Sequence, residues 1–254
     1  MKEYCHRLWL TALVVLIFLP CTSAPQTKPL APPRVSVPRS SGDHLDECCF
    51  HEVFSNEHVR VLRLQMSPHQ STGVNRRSHD YLILPLQYAY MKTVGEANAF
   101  DFELRMGQMQ VIKGGWPHRT INAADSALDV LEFEVTRGIH PEKAICGIGG
   151  KNCSDGTFGK EGGTYEAATI FETPTVRLRK IELGPGGTLA EHQHAGGEIL
   201  LAVTAVQFAN ETGPGRSAPL HLDRGQVQWF TAGLEHSLHN ESKQTAQFYE
   251  LELK

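Results

Sequence analysis

Two copies of one pattern run through this chain, and that repeat restricts its fold more than any other feature. VRVLRLQMSP at Val59 to Pro68 aligns without a gap on VRLRKIELGP at Val176 to Pro185, 117 residues later. GQMQVIKGGWPHRTIN at Gly107 to Asn122 then matches GQVQWFTAGLEHSLHN at Gly225 to Asn240, with Gly, Gln, Gln, Gly, His and Asn identical and the offset grown to 118. Each copy closes on a short segment rich in apolar residues, LDVLEFEV from Leu128 and AQFYELEL from Ala246. Short runs of Val, Ile, Leu and Phe between clusters of Gly, Pro and Asn are the pattern of strands and turns. The expectation is an all-β chain of two tandem small barrels or sandwiches, roughly 85 residues each.

The flanking segments differ in composition. Lys2 and Arg7 precede an apolar run, Leu8 to Leu19, with Thr22, Ser23 and Ala24 after it, so residues 1–24 read as an export signal too short to span a bilayer. Pro25 impedes cleavage directly after Ala24, which leaves an N-terminal membrane anchor as the alternative to soluble export, periplasmic or extracellular. Residues 25–47, with five prolines and no apolar periodicity, read as an extended disordered tether. The first copy then occupies 48–135, a Gly-rich connector 136–169, and the second copy 170–254. A net charge of −4 gives no basic stripe for nucleic acid, so a small-molecule substrate or ligand is the expected partner, with oligomeric state open.

The chemistry concentrates in the second copy. GPGGTLAEHQHAGGE sets His192 and His194 two residues apart and Glu198 four beyond, an even spacing that puts all three on one face of a strand. His236 arrives from a separate strand. Three imidazoles and a carboxylate suit a divalent transition metal (Fe, Mn, Ni, Cu or Zn) and leave open coordination positions on an octahedral ion. By the same parity Leu200, Ala202 and Thr204 share the face of Glu198, and none is an acid or base; His239 points away from His236.

These residues resemble the cupin superfamily, whose first motif is a Gly-led His-x-His followed by Glu and whose second is Gly, then Pro-x-Gly, then His and Asn. Gly186, His192, His194 and Glu198 match the first, and Gly225, Gly233, His236 and Asn240 the second; Ala205 and Thr231 depart from the usual Gly and Pro at turns. The resemblance implies two tandem double-stranded β-helix (jelly-roll, cupin) barrels with a metal held by His192, His194, Glu198 and His236. It also implies a range of activities, from dioxygenases to storage proteins. The leading expectation is a metal-dependent, dioxygenase-type oxidoreductase acting on a small organic molecule. The alternative is a non-catalytic binder or structural protein whose metal is structural.

Carried back into the first copy, the alignment replaces His192, His194 and Glu198 with Asn75, Arg77 and Tyr81, and keeps His118 opposite His236. That barrel is expected to be degenerate and metal-free, serving to pack against the second, with an anion pocket at Arg77, Tyr81 and His118 as the sharper alternative. A displaced site at His69, His79 and Asp80 is disfavoured, because adjacent residues face opposite sides of a strand. Trp116 is expected as a buried aromatic at a barrel rim. Once the signal is removed, Cys48, Cys49, Cys146 and Cys153 remain; a local Cys146–Cys153 staple is preferred over a link from either to Cys48 or Cys49. Sequons occur at Asn152, Asn210 and Asn240, the last inside the second motif and so a poor glycan site.

Overall fold

The copies fold into matching pairs of sheets. A computed structural model describes residues 49–149, 152, 153 and 165–254; the signal, the tether and Cys48 lie outside the described residues. The first copy supplies β1 (Phe50–Ser55), β2 (Val59–Met66), β3 (Tyr81–Pro85), β4 (Ala89–Gly95), β5 (Ala99–Leu104), β6 (Gln110–Ile112), β7 (His118–Asn122) and β8 (Leu128–Val135). The second supplies β9 (Tyr165–Glu172), β10 (Val176–Leu183), β11 (Thr188–Gln193), β12 (Glu198–Ala202), β13 (Val206–Glu211), β14 (Ser217–Leu222), β15 (Val227–Phe230), β16 (Glu235–Asn240) and β17 (Ala246–Leu253). In the first copy a five-stranded sheet β1-β2-β8-β3-β6 accompanies a three-stranded sheet β5-β4-β7. In the second, β15-β12-β17-β10-β9 accompanies β11-β16-β13-β14. All named strand pairs are antiparallel, so the architecture is a double jelly roll.

Strand β8 shows how the sequence builds this. All eight of its residues are buried, because its two faces meet two different cores. Leu131, Phe133 and Val135 join Val176, Leu178, Ile199, Leu201, Tyr249 and Leu251 in a core shared by both barrels. Leu128 and Val130, on the other face, fill the interior of the first barrel with Leu62, Leu64 and Met91. The second barrel has its own interior around Ile181, Leu183, Phe208, Leu238 and Phe248. The barrels thus pack five-stranded sheet against five-stranded sheet, as expected of the first copy's apolar face. Gly107 N–H donates to Tyr249 Oη at 2.7 Å across that seam.

The repeat extends to fine detail. Asn122 Nδ2 donates to the carbonyls of Ser67 and Ser126, and its counterpart Asn240 to those of Leu183, Gly184 and Gln244. Asn240 is buried, its side-chain amide taken up by three backbone carbonyls.

Three expectations need correction or completion. Strand β9 begins at Tyr165, inside the stretch 136–169 read as connector, because residues 165–169 pair with Arg179 to Leu183 of β10. The even spacing of Glu198 from His194 does not lie on one strand: β11 ends at Gln193 and Glu198 opens β12 in the other sheet. The run from Ile199 to Phe208 divides between β12 and β13, so the parity drawn from Glu198 ends at Ala202 and Thr204 lies between the strands. The local Cys146–Cys153 disulfide forms, and Cys49 is disulfide-bonded as well.

Candidate metal centre

Each ligand position has a local cause. Strand β11 pairs with β16 so that His192 faces His236, after a bulge between Leu189 and His192 that shifts the register and re-aims the following side chains. The turn to β12 passes through Gly196 and Gly197. A Cβ at Gly196 would sit 1.4 Å from the Leu253 carbonyl oxygen and one at Gly197 2.1 Å from the Trp229 ring, so only glycine lets the chain pass this close. Gly233 N–H, donating to the His194 carbonyl at 2.9 Å, ties the second motif to the first. Thr231 does not disrupt this turn: Leu234 N–H still donates to its carbonyl.

These constraints bring His192, His194, Glu198 and His236 together, with one ligand atom from each within 4.8 Å of all the others. His192 Nδ1 is 2.8 Å from the Ala190 carbonyl, which accepts its proton and leaves Nε2 as the lone-pair nitrogen toward the centre. His194 Nε2 lies 2.7 Å from Glu198 Oε2 and His236 Nε2 3.7 Å from the same oxygen. None of these contacts has the alignment of a hydrogen bond. His192 Nε2, His194 Nε2, both Glu198 oxygens and both His236 nitrogens are sealed from solvent without a hydrogen-bond partner. Buried polar atoms are rarely left so, and one such atom from each of four residues, gathered within 4.8 Å, is the donor set of a cation site; the residues fit a divalent transition ion.

With no ion between them, these groups perturb one another. Burial pushes His192 down to about 4, so it is neutral and ready to coordinate near pH 7. Burial alone would lower His194, but contact with Glu198 and Glu252 outweighs it and raises the imidazole to about 9. Burial opposes ionisation of Glu198, yet His194 and His236 hold it at about 2.

Sequence reasoning missed an outer layer contributed by the other sheet. Glu250 is buried on β17, paired with Arg179 of β10, and pushed up to about 7 by burial and by Glu198. Glu252 Oε1 lies 3.7 Å from His194 Nδ1, and Arg177 bridges Glu252 and Glu172. Tyr165, Arg177, Arg179 and Glu252 line a cavity of about 390 Å³ that also meets His192 and His194. Parity along β12 alone finds only Leu200 and Ala202 in this interior, and both are indeed buried there. The available signal was the Glu-x-Glu at the same place in both closing strands, Glu132 and Glu134 against Glu250 and Glu252.

The first barrel presents the equivalent positions in the same register: Asn75 bridges His118 as His192 pairs with His236, and Tyr81 pairs with Glu134 as Glu198 pairs with Glu252. Here the side chains engage one another. Arg77 forms an ion pair with Glu132 at 2.6 Å and lies 4.6 Å over the Phe50 ring. Tyr81 Oη and His118 Nε2 are 3.0 Å apart, and Asn75 Nδ2 donates to Thr72 Oγ1. Burial lowers the His118 imidazole. His69 pairs with Asp125, His79 with Glu134, and Asp80 accepts from Gly114 N–H, so these three form no common site. Trp116 is half-buried rather than buried, stacked between Phe100 and His118.

No protein family and no curated protein matches the chain by sequence. Solved structures match by shape. Oxalate decarboxylase of Bacillus subtilis, described with Mn(II) centres, superposes with a TM-score of 0.57 at 12% identity over 86% of this chain and 79% of its own. A vicilin from hazelnut, Corylus avellana, gives 0.55 at 10% identity over 83% and 84%. Salicylate 1,2-dioxygenase of Pseudoaminobacter salicylatoxidans, a mutant in complex with gentisate, gives 0.53 at 12% over 77% and 68%. At such identities the likeness speaks to architecture, and the architecture is plain: this chain has the two-barrel cupin fold.

Proposed function

We propose that the protein is an exported, metal-dependent oxidoreductase of dioxygenase type acting on a small organic molecule, with one metal held by His192, His194, Glu198 and His236. The observation that carries this is the convergence of one buried ligand atom from each of His192, His194, Glu198 and His236 in the second barrel, none with a hydrogen-bond partner toward the centre among the described residues. Metal-dependent enzymes among proteins of this shape, the manganese-containing decarboxylase and the dioxygenase above, support an enzyme. So does Glu250, a titratable group on the interior face beside the centre. The bound ion would supply Lewis acidity and, if redox-active, electron transfer with dioxygen. The chain's own residues would hold that ion, exclude bulk water, and admit substrate through the cavity lined by Tyr165 and Arg179. The first barrel, 48–135, is the metal-free structural partner: Arg77 places a permanent cation where His194 stands in the second.

The test is elemental mass spectrometry on the full chain, secreted and purified without chelator, beside His192→Ala, followed by oxygen-uptake screening. One equivalent of iron, manganese or copper, lost in the variant, with substrate-dependent oxygen uptake, is expected. One equivalent of zinc would refute the oxidoreductase reading, since zinc has no redox chemistry. Less than a tenth of an equivalent after reconstitution would refute the metal site itself.

A further inference from the structure

The cavity beside the metal centre lies between the edge strands β9 and β11, so its two walls belong to different sheets. Tyr165, at the start of β9, packs its ring into the second barrel's core with Ile181, Leu183 and Leu189. Its hydroxyl is another matter. Tyr165 is 7% exposed, lines the cavity, and its Oη is sealed from solvent with no hydrogen-bond partner among the described residues. A phenylalanine would fill the same apolar wall without stranding a polar atom, so the position carries a hydroxyl that none of the described residues engages.

The surroundings say what that hydroxyl would meet. Arg179 and Glu250 are the charged groups acting on it, and Arg179 lines the cavity too. Arg179 is paired with Glu250, whose other oxygen, Oε1, is also buried without a partner. Burial holds the Tyr165 phenol above its ordinary range, so it remains a donor at neutral pH. The Tyr165 phenol on one wall offers a donor to an acceptor oxygen, while the ligand atoms of the other wall would hold an ion that also takes oxygen. With a divalent ion in place, Arg177, Arg179 and Lys254 face Glu172, Glu191, Glu198, Glu252 and a partly protonated Glu250, so the cavity lies between neutral and singly positive and accommodates one added negative charge, not several. About 390 Å³ is at the small end of ligand pockets, which excludes polymers.

We propose that Tyr165 is a ligand-recognising residue of this cavity, its hydroxyl donating to a carboxylate or carbonyl oxygen of a small monoanionic oxygenated acid whose second oxygen reaches the metal centre. This rests on the metal-centre reading above, and the experiment separates the two. The full chain is loaded with Co²⁺, and its visible spectrum is titrated with acetate and with the ω-hydroxy carboxylates from glycolate to 4-hydroxybutyrate. The same titration is repeated on Tyr165→Phe. At least one hydroxy acid should bind the wild type more tightly than acetate, and the variant should bind it about fivefold to tenfold more weakly, the worth of one hydrogen bond, with unchanged Co²⁺ content and affinity. The ligand-free variant should melt no lower than the wild type, because it loses an unpaired hydroxyl. Equal binding by both proteins, no hydroxy acid tighter than acetate, or a marked loss of stability in the ligand-free variant would each overturn the proposal. Failure of the wild type to take up cobalt would instead overturn the metal centre.

Discussion

Replacing Arg77 by methionine tests whether the first barrel is held by an internal ion pair where the second barrel gathers ligands. Arg77 and Glu132 are each 2% exposed, and their contact at 2.6 Å is enclosed by Phe50 and Tyr81. Removing the guanidinium leaves the Glu132 carboxylate buried with no counter-charge, and breaking such a pair costs about 3–5 kcal/mol. At about 2–4 °C per kcal/mol for a protein of this size, the melting temperature should fall by roughly 6–20 °C. Arg77→Met with Glu132→Leu removes both charges and keeps the volume, so it should return to within about 1 kcal/mol of the wild type or exceed it. The assay is urea denaturation with calorimetry, run in chelator so that metal binding does not mask the difference. A single variant costing less than about 1 kcal/mol would show that water or another group reaches Glu132, and the Arg77–Glu132 pair would not be what holds this barrel's interior. Metal uptake by the second barrel should be the same in all three proteins.

Other outcomes follow from the same geometry. Glu252→Gln removes the carboxylate beside His194 Nδ1 and should weaken metal affinity by about tenfold, the usual cost of losing an outer partner of a ligating histidine, read by competition with a chromophoric chelator. Among His192, His194 and Glu198, at about 4, 9 and 2, only His194 loses a proton between pH 5 and 9. Metal binding at pH 7 should therefore release about one proton, seen as a buffer-dependent calorimetric enthalpy, and affinity should rise about tenfold per pH unit up to pH 9. In the metal-free protein the sign for stability is opposite: the raised His194 contributes fully below its unfolded value near 6.5, and that contribution is lost as pH rises through about 9. Phe133→Ala, at a fully buried position in the core shared by the barrels, should cost about 3–5 kcal/mol by denaturation; a loss near 1 would mean the barrels do not stabilise each other through that face.

What the sequence determined by itself was local or repeated. Alternation along each strand is a property of neighbouring residues, so the repeat, the strand-and-turn pattern, the pairing of His192 with His194 on one face and the turning away of His239 were legible without coordinates. The second motif's His236 and Asn240 were legible because the first copy carries His118 and Asn122 at the same places. Where the reasoning ran along one strand too far, as in placing Glu198 by even spacing from His194, the residue does meet the three histidines but by another route: a glycine turn carries the chain into the other sheet. Only the tertiary structure decided which strands lie side by side, because cross-strand register depends on pairings between segments distant in sequence. That is why Arg179 with Glu250, Glu252 behind His194 and the unpartnered hydroxyl of Tyr165 were invisible to parity on β12, and why β9 starts at Tyr165. In the first barrel the sequence showed which ligand types were replaced, and the fold showed what stands there instead: Arg77 against Glu132, and Tyr81 against a His118 whose counterpart His236 has no hydrogen-bond partner among the described residues.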